Sequence, residues 1–160
     1  MRQADTSIAG NGRARTMWLA WLMVGTLDIM AAVIQTLING RNPVMMLKFI
    51  ASGIFGPAAL AGGNGYAVLG LLFHYMIAGI WTWLFFQLYP RLRFLQENVW
   101  VTTIVYGLFV WFVMNRIVLP LSNTPPIPFT VKGALISATI LIFAIGMPLA
   151  LMARRHAWSK

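Results

Sequence analysis

Cysteine is absent from the chain, so disulfides, thiolate metal sites and thiol nucleophiles are all excluded. Acidic residues are scarce: three Asp and Glu stand against twelve Lys and Arg, for a net charge of +9. Charged residues of both signs make up only 9% of the 160 positions, where a soluble domain carries about 25%. That is too little charge to coat a water-facing surface. Histidine occurs only at His74 and His156, and only His74 stands within an apolar run, which argues against a transmembrane haem held by two histidines of one chain. His74, Asp28 and Met76 lack the spacing of a metal site. The glycines of Gly62-Gly63-Asn64-Gly65 have no Lys-Ser/Thr after them, which argues against a phosphate loop. No nucleophile elbow with an ordered Ser, Asp and His is present. No enzyme activity, metal or cofactor is therefore expected.

What the chain does have is apolar length: 59% of its residues are hydrophobic and its mean hydropathy is +0.75. Several runs reach the roughly 20 residues that cross a bilayer core of about 30 Å. The basic residues sit in short flanks beside these runs, a topology signal rather than a nucleic-acid patch. The expected fold is all-α, an integral membrane four-helix bundle, with the lipid bilayer as its first partner. Association with itself or a larger membrane complex is expected, and nucleic acid is not.

Met1 to Arg15 are polar and predict a cytoplasmic N-terminal tail. Arg13 and Arg15 before an apolar run imitate a signal peptide. The run is too long for one, it contains Asp28, and no small-x-small site follows, so an uncleaved span is expected. Span 1 covers 16–38 and ends at Asn39-Gly40, where Gly accepts a left-handed cap. Asn42 is placed to cap a helix starting at Pro43 and reaching Phe55. At 13 residues it is too short to span, and it predicts a short interfacial helix with Lys48 snorkelling to water. Gly56-Pro57 and the Gly62–Gly65 cluster predict a turn. Span 2 covers 66–89 and span 3 covers 99–119, with Pro120 as its stop. Pro125, Pro126 and Pro128 stiffen the next segment. Thr130 is placed to cap span 4, over 131–152, in which Pro148 predicts a kink. A basic cytoplasmic tail, 154–160, completes the membrane domain of 16–153. Trp18, Trp21, Trp81, Trp83, Trp100 and Trp158 read as an interfacial belt. Met45-Met46 read as interfacial packing. Tyr66-x-x-x-Gly70 and Gly146-x-x-x-Ala150 permit close helix contact.

Arg2, Arg13, Arg15, Arg91, Arg93, Arg154, Arg155 and Lys160 fall on one side of this scheme, and Arg41, Lys48 and Lys132 on the other. The positive-inside rule then puts both termini in the cytoplasm.

Four stretches are familiar together: Gly25-Thr26-Leu27-Asp28, Lys48-Phe49-Ile50-Ala51-Ser52-Gly53, Gly70-Leu71-Leu72-Phe73-His74-Tyr75 and Leu121-Ser122-Asn123-Thr124-Pro125. Over most of 16–153 the chain resembles an uncharacterised family of small bacterial four-helix inner-membrane proteins. The resemblance implies the architecture and the membrane, and no substrate or catalytic residue.

Ionisable residues inside a membrane cost roughly 2.5–3.5 kcal/mol at its centre and usually face the bundle interior in pairs. At about 1.5 Å per residue, Asp28 lies roughly 15 Å from the outer end of its span, His74 roughly 12 Å, Arg116 roughly 6 Å and Ser137 roughly 9 Å. Gln35 lies two turns beyond Asp28 on the same face, and Asn115 adjoins Arg116. These six residues are expected to line one outward-opening polar region. Two readings compete. In one, Asp28 and His74 take up a proton or cation, with Arg116 as counter-charge or anchor for an anionic head group. In the other, the same groups pair across helices and fix their packing. The first function class is an accessory or structural membrane subunit. The second is a proton- or cation-coupled transporter or pore.

Overall fold

The computed structural model describes residues 2–126 and 128–155, with side chains from Arg13 onward. Its elements are α1 (Arg2–Ile38), α2 (Pro43–Phe55), α3 (Pro57–Ala61), α4 (Gly65–Leu88), α5 (Arg93–Glu97), α6 (Val99–Val113), a wide π turn (Met114–Val118), α7 (Leu119–Leu121), α8 (Val131–Leu141), a second π turn (Ile142–Gly146) and α9 (Met147–Arg155). No strand occurs among the described residues. Four rods are long and apolar enough to cross a membrane: Arg13–Ile38, Gly65–Leu88, Val99–Leu121 and Val131–Arg155. The protein is an all-α, multi-pass membrane bundle with a short apolar helix, α2, between its first two spans.

Local chemistry sets most boundaries. Gly40 takes φ +65° after α1, a region that costs a side chain energy and Gly little. Asn42 Oδ1 accepts from the Val44 amide at 2.8 Å and Pro43 opens α2. Asn98 Oδ1 accepts from Trp100 N at 2.8 Å to start α6, and Thr130 Oγ1 accepts from Gly133 N at 3.2 Å to start α8.

Several expectations are corrected. Residues 2–15, read as a polar tail, are helical and continuous with the first span. The turn between α2 and α4 contains the single-turn helix α3, with Pro57 at its first position. The link between the second and third spans forms α5. Pro120 does not stop the third span, which runs through it to Leu121. Pro148 sits inside the fourth span, as expected. Each of these prolines follows a π turn by two residues. Leu119 N donates to Met114 O, and Met147 N to Ile142 O, both one residue further back than in an α-helix. The wider turn makes room for the ring and takes up the hydrogen-bond offset that proline causes. Lys48 does not snorkel: it is buried, and Nζ donates to the Gly62 carbonyl at 2.7 Å. Among the belt tryptophans, Trp18, Trp83 and Trp100 are exposed, but Trp81 is in the core. His156, Trp158 and Lys160 lie outside the described residues.

The core gathers near the termini. Phe85 is fully buried and stacks edge-on against Tyr106, ring centroids 4.8 Å apart. Tyr106 Oη donates to the Trp81 carbonyl at 2.5 Å. Val24, Val110 and Leu149 close the cluster from the other three spans. Many large apolar side chains point outward, among them Phe112, Leu135 and Ile80. Lipid, rather than water, is the solvent that makes such a surface stable.

Candidate functional site: a polar helix seam and a separate cavity

The first site is the seam between α1 and α4. On α1, Trp21, Gly25 and Asp28 recur at steps of four and three, one face of a helix. Gly25 has no side chain, and a Cβ there would come within 2.7 Å of the Tyr75 ring. Its absence lets α4 approach. His74 then reaches the backbone of α1, with Nε2 2.8 Å from the Gly25 carbonyl. A carbonyl only accepts, so Nε2 carries the hydrogen of this bond. The other ring nitrogen, Nδ1, faces Asp28 Oδ2 at 4.0 Å. Two flanking bonds hold the register. Trp21 Nε1 donates to the Tyr75 carbonyl at 2.6 Å, and the Thr26 and Tyr75 hydroxyls are 3.0 Å apart. The seam is mostly closed: His74 and Asp28 side chains are 11% and 20% exposed.

Proton accounting follows from this geometry. With Nε2–H committed to Gly25, a neutral imidazole presents a lone pair at Nδ1. A carboxylate opposite it is a second acceptor. The two groups attract only when one proton is placed between them, on the carboxyl or on the ring.

The second site is a cavity of about 580 Å³ between the far end of the third span, the proline segment and the start of α8. Trp111, Asn115, Arg116, Pro120, Phe129 and Ser137 are among its lining residues. The Trp111 indole donates to Ser137 Oγ at 2.8 Å, which ties the third span to the fourth. Asn115 Nδ2 donates to the Trp111 carbonyl at 2.9 Å, one turn back on the same rod. Arg116 is exposed, and its guanidinium lies over the Phe129 ring, 4.9 Å from the centroid. This is cation–π distance.

The six expected residues thus divide. Asp28 and His74 meet in the seam. Asn115, Arg116 and Ser137 meet at the cavity, whose lining includes neither Asp28 nor His74. Gln35 joins neither set: it is half-buried, and among the described residues no hydrogen bond links its side chain to Asp28 or Arg116. Among the described residues no group of three or more His, Cys, Asp or Glu could hold a metal.

Three contributors escaped the residue pattern. Gly25 and Tyr75 build the seam by close approach, which no spacing rule announces. Asn123 joins the two loops at the end of the bundle away from the termini: its amide donates to Gly53 O at 3.0 Å and its Nδ2 to Ile54 O at 3.2 Å. Those carbonyls belong to the last turn of α2, which has no helical partner for them.

No family model matches the chain, and neither a curated protein nor a solved structure matches it.

Proposed function

We propose that the protein is a small accessory or structural subunit of a bacterial inner membrane. It acts through helix contacts with itself or a larger complex and carries out no reaction of its own. Both termini face the cytoplasm, by the excess of Arg and Lys on that side, and the Arg116 cavity opens outward. One observation carries it: within the α1–α4 seam His74 Nε2 donates to the Gly25 carbonyl, and Nδ1 lies 4.0 Å from Asp28 Oδ2. Polar groups consumed in helix packing support a structural role for the pair. The test is purification in mild detergent followed by native mass spectrometry. A species heavier than one chain, with defined stoichiometry, is the expected result. A lone monomer at all concentrations contradicts it.

A second reading is favoured by the proton accounting. A pair with room for one shared proton is the minimal element of a proton-coupled carrier or pore. Reconstituted vesicles with a pH-sensitive dye decide it. Under the accessory reading the parent protein gives no proton flux above empty vesicles. Under the carrier reading it does, and Asp28→Asn abolishes that flux while the protein remains folded.

A further inference from the structure

We propose that the cavity beside Arg116 seats the anionic phosphate head group of a membrane phospholipid, with its acyl chains lying along the neighbouring lipid-facing helices. The proposal does not involve Asp28 or His74.

Charge makes the first argument. Arg116 has no acidic partner among the described residues, and its guanidinium lies over the Phe129 ring. Asp28 is engaged toward His74 and Glu97 ends α5 at the other end of the bundle. A guanidinium at the edge of a low-dielectric layer is stabilised by an anion, and its planar fork matches two phosphate oxygens. The Phe129 ring, 4.9 Å from the guanidinium, holds it at the cavity without using its N–H donors.

Shape and position make the second. The cavity, about 580 Å³, falls within the range of about 300–1,000 Å³ typical of small-ligand sites. Asn115, Thr124 and Ser137 also line it, but the Asn115 amide hydrogen and the Ser137 hydroxyl hydrogen are directed to the Trp111 and Ala134 carbonyls, so the anion contact falls to Arg116. The Trp111–Ser137 bond fixes two of its walls to each other. The faces around it, Phe112, Leu135 and Val131, are apolar and exposed. A soluble anion would meet only the polar half of this surface. A phospholipid meets both, head group on Arg116 and chains on the apolar flanks.

The test is native mass spectrometry of the full chain released from micelles containing equal phosphatidylglycerol and phosphatidylcholine, with and without inorganic phosphate. The parent is expected to retain one phosphatidylglycerol in preference to phosphatidylcholine. Arg116→Gln should weaken that retention by about tenfold, the scale of losing a charge-assisted hydrogen bond. Arg116→Lys should fall between, because an ammonium is a point charge and not a fork. Ala134→Leu keeps the charge, narrows the cavity and should also reduce retention, so the proposal stays testable if Arg116→Gln does not fold. Arg93→Gln, at the opposite end, should retain lipid as the parent does. Equal retention by the parent, Arg116→Gln and Ala134→Leu overturns the proposal. So does a parent that binds inorganic phosphate through Arg116 and shows no preference between the two lipids, which would make the site one for a soluble anion.

Discussion

Gly70 of α4 lies against the backbone of α2 so closely that a Cβ on it would collide with the Leu47 carbonyl. Gly146 stands in the same relation to the Thr103 carbonyl, between the fourth span and the third. Without a hydrophobic force between helices in lipid, such close backbone approach is what holds a membrane bundle together. Gly70→Ala and Gly146→Ala should each destabilise the protein by about 1–3 kcal/mol, the range for forcing extra atoms into a packed site. Gly63→Ala, where nothing lies within 4 Å, should change stability little. Denaturation in mixed micelles, read by tryptophan fluorescence, ranks the three.

Lys48 pins α2 to the segment after α3 through its bond to Gly62 O. Lys48→Met keeps most of the length and removes the donor. It should cost about 1.5–3 kcal/mol, the scale for a hydrogen bond made by a charged group. It should also raise protease cleavage within Gly62–Gly65, because the turn loses its tether. Cleavage rates unchanged from the parent would show that the bond does not restrain the turn.

Asn123→Ala removes the side-chain bond to Ile54 O but keeps the backbone bond to Gly53 O. The expected loss is modest, about 0.5–1.5 kcal/mol. Amide exchange should rise selectively at Gly56 and Asn123, while α6 and α8 exchange as before.

Much of this architecture was legible in the residues. Four apolar runs, the Asn42-Pro43 helix start, the Thr130 cap and the Gly40 stop all follow from local chemistry, and local chemistry is what a sequence displays directly. The fate of Lys48 was not legible. Snorkelling and burial use the same stem, and only the position of Gly62 O, 14 residues away, decides between them. Pro120 misled for a related reason: proline breaks an α-helix, but a π turn two residues earlier accommodates it, as another does for Pro148. The site divided because counting residues along a helix gives depth in the membrane and nothing about position around the bundle. Asp28 and Arg116 both lie in the half of their spans away from the chain termini, yet one faces α4 and the other faces α8. Tyr75 and Gly25 were invisible as partners because their contact depends on how closely two backbones approach.

The claim on which most depends is that Asp28 and His74 hold the first span to the second. A double-mutant cycle on Asp28→Asn and His74→Ala, with unfolding measured in lipid-containing micelles, tests it most directly. The account predicts that each change destabilises the protein and that the two losses are coupled by roughly 0.6–1.7 kcal/mol, the range measured for polar pairs between membrane helices. Losses that simply add, or variants as stable as the parent, would contradict it.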